Sequence, residues 1–290
     1  MKKIIYFILI VAFYLVCYYY EGNSVKEEYK ISSDGNLVIR YLDVGQADSI
    51  LIENNSKFML IDAGNNSDGE LLVDYFKKLG IKEFEYVVAT HPHEDHIGGM
   101  DDVINNFSVK NFYMPDVVTT TKTFEDMLDA VENNVFKVSV PEVGEEFNFS
   151  DLYFKVLHVG DESYDDLNDV SICLSLGFGK NKFIFMGDAS SKVEDMIIDR
   201  GYNITSDVLK VGHHGSSYSS SINFLKEVKP KYSIISVGEG NSYSHPHSQT
   251  ISLLNKVNSE VYRTDLDGTV IVTSDGENIK VIKDEVCLNG

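Results

Sequence analysis

Residues 86–99 read YVVATHPHEDHIGG and carry the strongest signal in this chain of 290 residues. The run YVVAT predicts a strand, and it leads directly into His91, His93, Asp95 and His96. Imidazole and carboxylate ligands at this close spacing suit Zn²⁺, Mn²⁺ or iron. Only eight histidines occur in the whole chain, so a polar loop that is histidine-rich by chance explains the cluster poorly. The segment therefore predicts a metal site in a tight loop at the carboxyl end of a strand.

The sequence on both sides of this loop shows strand-like and helical patterns. Residues 68–80 place apolar side chains at helical spacing and end at Gly80, which is typical of the residue that follows a helix. Further helices are predicted over residues 123–134, 190–201, 219–229 and 247–258. Strands are predicted over residues 37–44, 49–53, 57–64, 84–90, 152–158, 170–178, 182–187, 207–211, 232–237, 260–264 and 269–274. Strands followed by a helix, in two successive halves of the chain, predict an α/β domain whose sheets are covered by helices.

The amino terminus carries a separate signal. Lys2 and Lys3 precede an apolar run over residues 4–20, which is longer than a usual signal core and slightly short for a full membrane span. The lysines are expected to stay in the cytoplasm and to send the remainder of the chain outward, membrane-anchored or secreted. An uncleaved anchor is favoured over a cleaved signal or a lipid anchor. We predict an anchor or signal segment at 1–20, a linker at 21–34 and one large domain at 35–290.

Composition limits the classes of partner. Hydrophobic residues make up 43% of the chain and charged residues 24%, as in an ordinary globular protein. The formal net charge of −20 should repel polyanions at long range, which counts against tight, general DNA binding. DNA stays open as a substrate, because bound divalent metals reverse the local charge. The three cysteines show neither metal-ligand spacing nor a disulfide framework.

The HPHEDH segment matches the HxHxDH signature of the metallo-β-lactamase superfamily, and other motifs narrow the resemblance. In order along the chain they are YLDVGQADSILIE, MLIDAG, NDVSICLSL, FIFMGDAS, LKVGHHGSSYSSS, SVGEGNSYSHPH and RTDLDGTVIV. Together they resemble the hydrolase domain of ComEC-type DNA-uptake channels, in a free-standing form, over about residues 37–275. The resemblance implies the four-layer αββα sandwich with two central mixed sheets.

The resemblance also implies a catalytic centre with two divalent ions, zinc or manganese. In the family, the first two histidines of the signature bind one ion, and its aspartate and last histidine bind the other. The aspartate of FIFMGDAS bridges the ions, and the first histidine of SYSHPH matches the last histidine ligand. Carried over to this chain, the implied metal ligands are His91, His93, Asp95, His96, Asp188 and His245.

Substrate-handling residues are expected around these ligands. His213 and His214 stand beside Gly-Ser-Ser after a predicted strand, where they could bind an anionic substrate or transfer a proton. We predict these two histidines and Asp95 as the catalytic residues. The weaker candidates for substrate contact are Lys210, Ser216 and His247.

One segment departs from the family pattern. Many members carry another histidine ligand in a GHTxG-type segment, where this chain reads DDLNDVSICL. Asn168, Asp169 or water is expected to fill the gap, and Asp169 is predicted to support the ligands without binding metal. Asp62, at a strand end, is expected to orient a ligating histidine. The missing histidine makes β-lactamase or glyoxalase activity less expected.

The function predicted from these observations is two-metal hydrolysis by a phosphodiesterase or nuclease outside the cytoplasm. The alternative is hydrolysis of a small ester, lactone or amide, which the acidic balance slightly favours. A second alternative is a binding module on a non-catalytic scaffold. The expected partners are nucleic acid or a small phosphodiester or ester substrate, together with a membrane through the N-terminal segment. No protein partner can be predicted from the sequence.

Overall fold

A computed structural model describes residues 36–134 and 137–284 of the chain. The anchor or signal segment predicted at 1–20 and the linker predicted at 21–34 lie outside the described residues. Within the described ranges, no helix has the length and apolar character needed to cross a membrane.

Within the described residues, the first sheet contains eight strands. Numbered along the chain, they are arranged in the order β15-β14-β1-β2-β3-β4-β5-β6. Its β1–β2, β2–β3, β1–β14 and β14–β15 pairs are antiparallel, and the three pairs from β3 to β6 are parallel. The strands are β1 Leu37–Tyr41, β2 Ser49–Asn54, β3 Lys57–Ala63, β4 Glu83–Val88, β5 Ser108–Tyr113, β6 Lys137–Ser139, β14 Thr269–Ser274 and β15 Ile279–Asp284.

In the described part of the chain, the second sheet contains seven strands. They are arranged in the order β13-β12-β11-β10-β9-β8-β7. The pairs from β7 to β10 are antiparallel, and the pairs from β10 to β13 are parallel. The strands are β7 Glu146–Phe149, β8 Leu152–His158, β9 Cys173–Phe178, β10 Asn181–Phe185, β11 Val208–Lys210, β12 Tyr232–Ile235 and β13 Glu260–Arg263.

Helices cover the outer face of each sheet, and short helices form some of the connections. The first sheet is covered by α1 Gly69–Lys78, α2 Glu94–Ile97, α3 Met100–Asn106 and α4 Lys122–Asn133. The second is covered by α5 Ser191–Asp199, α6 Ile222–Val228 and α7 Ser248–Lys256. The short α8 Thr264–Asp267 joins β13 to β14, and 3₁₀ turns occur at Leu167–Val170 and His213–Gly215.

The strands bury both faces because the molecule has three apolar layers. In β2, Ile50 and Ile52 belong to the core between the two sheets, and Leu51 belongs to the core between the first sheet and its helices. In β10, Phe183 points into the core between the sheets and Ile184 into the core beneath the second set of helices. Alternate side chains of a strand point to opposite faces, so strands with helices on one side and a sheet on the other are nearly continuous apolar runs.

The predicted αββα sandwich with two mixed sheets is confirmed, and the differences are local. The strand predicted over 170–178 starts only at Cys173, because Leu167–Val170 forms a 3₁₀ turn. Strand β5 was not predicted, because Lys110 and Asn111 interrupt its apolar pattern. The functional loops follow the carboxyl ends of β4, β10, β11 and β12, which lie at one edge of the sandwich.

Candidate metal centre

The histidine loop after β4 is held against the loop after β3 by close backbone contact. A side chain on Gly98 would place its Cβ 2.1 Å from the carbonyl carbon of Asn65, and one on Gly99 would lie 2.7 Å from the oxygen of Ala63. The Gly98 amide donates to the Gly64 oxygen at 2.8 Å. Only glycine permits this approach, so the two glycines after the signature fix the position of its histidines.

Asp62 lies directly behind the last histidine of the signature. Its Oδ2 accepts hydrogen bonds from His96 Nδ1 at 2.8 Å and from the Thr90 hydroxyl, and its Oδ1 accepts one from the Thr90 amide. Asp62 is fully buried and has a left-handed backbone, with φ of 59°. Nδ1 of His96 is therefore occupied, and Nε2, which lies 3.3 Å from Asp188 Oδ1, is the nitrogen left for a metal ion. This is the contact expected of a carboxylate that orients a ligand.

Four side chains from the two sheets converge on one point. Asp95 and His96 come from the loop after β4, Asp188 follows β10, and His214 follows β11; one ligand atom of each lies within 4.8 Å of the others. His96 Nε2 lies 3.3 Å from Asp188 Oδ1, and His214 Nε2 lies 3.3 Å from Asp95 Oδ2 and 3.6 Å from Asp188 Oδ2. We call these four residues the metal cluster.

The atoms of the metal cluster fit a divalent cation. His96 Nε2, Asp188 Oδ1 and His214 Nε2 are buried and have no hydrogen-bond partner in the described part of the chain. A buried polar atom left unsatisfied costs about 1–3 kcal/mol, so three such atoms around one point fit the binding of a cation there. Imidazole nitrogen and carboxylate oxygen are donors that Zn²⁺ and Mn²⁺ accept.

The charge state of the cluster also suits a cation. Burial opposes the ionisation of Asp188, but His214 and His96 outweigh it and hold the pKa of this carboxyl well below its usual range. Burial likewise lowers the pKa of His214, while Asp188, Asp95 and Asp48 overcome it and raise that pKa above its ordinary value. The carboxylates are therefore ionised at neutral pH, and the positive charge that they attract is the charge a metal ion would supply.

His91 and His93 form a second pair of donors beside the cluster. His91 Nε2 lies 3.1 Å from His93 Nδ1, and the His91 ring centroid lies 4.1 Å from that of His96. Burial and the neighbouring His96 hold the pKa of His91 well below its usual value, so this imidazole is neutral and free to bind a cation. Among the described residues, Asn168 also lines the cleft, and its buried Oδ1 has no hydrogen-bond partner.

Asp169 stabilises the backbone next to Asp188 and is not itself part of the metal cluster. Its Oδ1 accepts a hydrogen bond from the Ser190 amide at 3.1 Å, and its backbone oxygen lies 2.8 Å from His158 Nε2. Ser190 caps helix α5, two residues after Asp188. Asp169 therefore helps to fix the turn that carries Asp188, whereas Asn168 lines the cleft.

The structure groups His214, and not His245, with the other ligand atoms of the metal cluster. His214, predicted as catalytic, contributes its Nε2 to the metal cluster, whereas His245, predicted as a ligand, stands outside it on the cleft wall. The ring of His245 is 5.6 Å from that of His213 and 6.4 Å from that of His214. Burial and the neighbouring histidines lower the pKa of His245 to about 4. The side chain is therefore neutral at neutral pH.

The three predicted substrate contacts do not line the cleft. Lys210 is fully buried and its Nζ donates to Asp48 Oδ2 at 2.7 Å, so its ammonium is unavailable to a substrate. Ser216 is buried, and its hydroxyl accepts from the Tyr218 amide. His247 accepts from the Ser217 amide through Nδ1 at 2.9 Å. These side chains fix the loop that carries His213 and His214, and their role in substrate binding stays a prediction.

The metal cluster opens into a cleft of about 520 Å³. His213 is partly exposed there, with its Nε2 3.8 Å from Asp188 Oδ2. The lining includes three acidic residues and, within the described chain, neither lysine nor arginine. Three further lining residues escaped the sequence analysis; Gln46 and Asn65 had a signal in their position at strand ends, and Tyr243, in an irregular loop, had none. The lining residues are Gln46, Asn65, His93, Glu94, Asp95, Asn168, Asp188, His213, His214, Tyr243 and His245.

Comparison with known proteins identifies relatives of the chain. The chain is 30% identical over 258 residues to ComE operon protein 3 of Bacillus subtilis, covering 83% of this chain and 33% of that protein. It is 28% identical over 236 residues to recombination protein 2 of Haemophilus influenzae, covering 80% of this chain and 28% of that protein. The chain thus spans about a third of the length of these curated relatives.

The fold comparison points the same way. The metallo-β-lactamase fold protein YhfI from Bacillus subtilis matches with a TM-score of 0.56 at 10% identity, covering 82% of this chain and 100% of that one. The sequence profile of the metallo-β-lactamase superfamily matches residues 42–239, a range that includes all four residues of the metal cluster. The chain therefore belongs to the metallo-β-lactamase superfamily of metal-dependent hydrolases.

Proposed function

We propose that this protein is a metal-dependent phosphodiesterase that acts on nucleic acid outside the cytoplasm. The observation that carries the proposal is a set of buried ligand atoms of His96, Asp188 and His214 that have no hydrogen-bond partner among the described residues and lie beside an open cleft. Structural metal sites are closed by protein ligands, whereas catalytic sites keep a position open for water or substrate. An open cleft over the cluster therefore favours catalysis over a purely structural site.

Two observations support the substrate class and the location. One relative is named as a recombination protein, which favours a phosphodiester of nucleic acid over a small ester. The location is supported by the sequence alone, because Lys2 and Lys3 precede the apolar run of residues 4–20 and are expected to remain in the cytoplasm.

The residues around the metal cluster have different roles in the proposed hydrolysis. A divalent ion held by Asp95, His96, Asp188 and His214 would polarise a phosphoryl oxygen and lower the pKa of a bound water. His213 Nε2 faces Asp188 at 3.8 Å and is open to the cleft, so it can donate a proton to the leaving oxygen.

A second candidate is hydrolysis of a small ester, lactone or amide. The cleft wall includes Glu94, Asp95 and Asp188, and no described residue that lines it is a lysine or arginine. Nucleic-acid sites usually present fixed cations to the phosphates, so a neutral substrate would meet less electrostatic opposition here. Phosphodiester binding in this cleft would depend on the metal ions for its positive charge.

The test compares the two substrate classes on the full chain loaded with Mn²⁺ or Zn²⁺. Single-stranded and double-stranded DNA are assayed beside p-nitrophenyl acetate, with a chelator as a control. Asp188→Ala should reduce DNA cleavage by more than about a hundredfold, since even residues that only support metal ligands contribute 10- to 100-fold. The matched control is Asp199→Ala, an exposed carboxylate on α5, which should cleave like wild type. Ester cleavage without DNA cleavage by a metal-loaded protein would refute the phosphodiesterase and support the second candidate.

A further inference from the structure

Lys210 is a buried cation that the proposed hydrolysis does not use. It lies at the end of β11 and is 0% exposed. Its Nζ donates to Asp48 Oδ2 at 2.7 Å and to the Val211 oxygen at 3.1 Å. Asp48, which is 1% exposed, precedes β2 in the other sheet. The ion pair therefore joins the two sheets that contribute ligands to the metal cluster.

The other oxygen of Asp48 faces a residue of the cluster. Asp48 Oδ1 lies 3.5 Å from His214 Nδ1, and the same nitrogen lies 3.0 Å from the backbone oxygen of Ser236. A carbonyl oxygen can only accept a hydrogen bond, so Nδ1 of His214 carries a proton and donates it. The nitrogen that points to Asp95 and Asp188 is consequently Nε2.

We infer that Lys210 and Asp48 form an inter-sheet ion pair that positions the His214 imidazole as a metal ligand. The arrangement resembles that of Asp62 behind His96, with two differences. Asp62 accepts a 2.8 Å hydrogen bond from His96 Nδ1, whereas Asp48 acts on His214 Nδ1 through its charge at 3.5 Å. Asp62 is stabilised by the amide and hydroxyl of Thr90, whereas Asp48 is stabilised by a full positive charge. Lys210 is therefore a positioning residue, and its action on the metal passes through Asp48 and His214.

The inference predicts a specific loss when the ammonium is removed. Lys210→Met keeps the length of the side chain but leaves the Asp48 carboxylate buried without its cation, which is strongly unfavourable. The carboxylate is then no longer held in place, and His214 loses its fixed orientation. Because residues behind metal ligands typically contribute 10- to 100-fold to metal affinity, Lys210→Met should weaken Mn²⁺ binding by about that factor.

A matched control separates positioning from stability. Arg40 is also buried, at 2% exposure, and its guanidinium lies 2.8 Å from Glu53 within the first sheet. Arg40→Met should lower the unfolding temperature as Lys210→Met does, and it should leave metal binding unchanged. If Lys210→Met fails to fold, the double variant Asp48→Asn, Lys210→Met removes both charges together, a change that is often neutral for stability. The folded double variant should bind Mn²⁺ more weakly than the wild type does.

The experiment measures Mn²⁺ affinity by calorimetry on the full chain and records the visible absorption of bound Co²⁺, which reports ligand geometry. The inference predicts weaker Mn²⁺ binding and an altered Co²⁺ spectrum for Lys210→Met and the double variant, with a wild-type spectrum for Arg40→Met. Wild-type affinity and spectrum in a folded Lys210→Met or double variant would overturn it. Neither readout requires a substrate, so the result is independent of whether the protein cleaves phosphodiesters.

Discussion

Glu194 offers a test of how the loop that carries His213 and His214 is held. This glutamate lies on α5, is 1% exposed, and accepts hydrogen bonds from the backbone amides of Ser220 and Ser221, the latter at 2.8 Å. These amides stand at the start of α6. Burial raises the pKa of Glu194 from 4.5 to about 7, although the hydrogen bonds from the two serines favour the ionised form.

The raised pKa makes stability fall with increasing pH. The folded protein retains the Glu194 proton up to about pH 7, while the unfolded chain releases it near pH 4.5. The stabilising contribution is therefore complete below the unfolded pKa and is lost as pH rises through the folded pKa. At about 1.4 kcal/mol per pKa unit, the free energy of unfolding should fall by about 2–3 kcal/mol between pH 5 and pH 8 because of this group.

Glu194→Gln removes the titration while keeping the shape of the side chain. Urea unfolding of the full chain at pH 5, 6, 7 and 8 should show the variant gaining about 2–3 kcal/mol relative to wild type across this range. Glu132→Gln, an exposed position on α4, should follow the wild-type profile. If the Glu194→Gln and wild-type profiles run parallel, the carboxyl is not held in its protonated form by burial and the reasoning is wrong.

Three further predictions concern the metal centre and its loop. Asp62→Asn should weaken Mn²⁺ binding 10- to 100-fold, because it alters the acceptor that fixes His96 Nδ1; unchanged affinity in calorimetry would contradict this. Gly98→Ala should lower the free energy of unfolding by about 3 kcal/mol or more, since its Cβ would meet the Asn65 carbonyl carbon at 2.1 Å. Gly80→Ala, with open space around it, should cost only the strain of its left-handed backbone, about 1–2 kcal/mol, and an equal loss in both would refute the clash. Mn²⁺ at a hundred times its dissociation constant should raise the free energy of unfolding by about 2.7 kcal/mol. An unfolding curve of the Mn²⁺-loaded protein that a chelator leaves unchanged would contradict a bound ion.

The sequence predicted the parts of the fold and site that depend on local pattern. The helix over 68–80 appears as Gly69–Lys78, because apolar spacing and a following glycine are encoded within a few turns. The histidine loop could be placed for the same reason, since the strand and its ligands are contiguous. Asp188 was located by its position after β10, where the apolar alternation ends.

The remaining parts depend on which distant residues meet. The sequence makes Lys210 only a weaker candidate for substrate contact, and its partner Asp48 lies 162 positions away in the sequence. The choice between His214 and His245 also depends on tertiary contact. The left-handed backbone of His214, with φ of 50°, and its bond to Ser236 direct its ring into the metal cluster, and neither feature is visible in the sequence.

The central claim is that Asp95, His96, Asp188 and His214 hold a divalent metal ion, and metal content tests it most directly. The full chain, its His214→Ala variant and its His245→Ala variant are loaded with Mn²⁺, freed of excess metal, and measured by inductively coupled plasma mass spectrometry. We predict bound metal in the wild type, a clear loss in His214→Ala, and retention in His245→Ala, because His245 stands outside the cluster. Retention in His214→Ala with loss in His245→Ala would contradict the account.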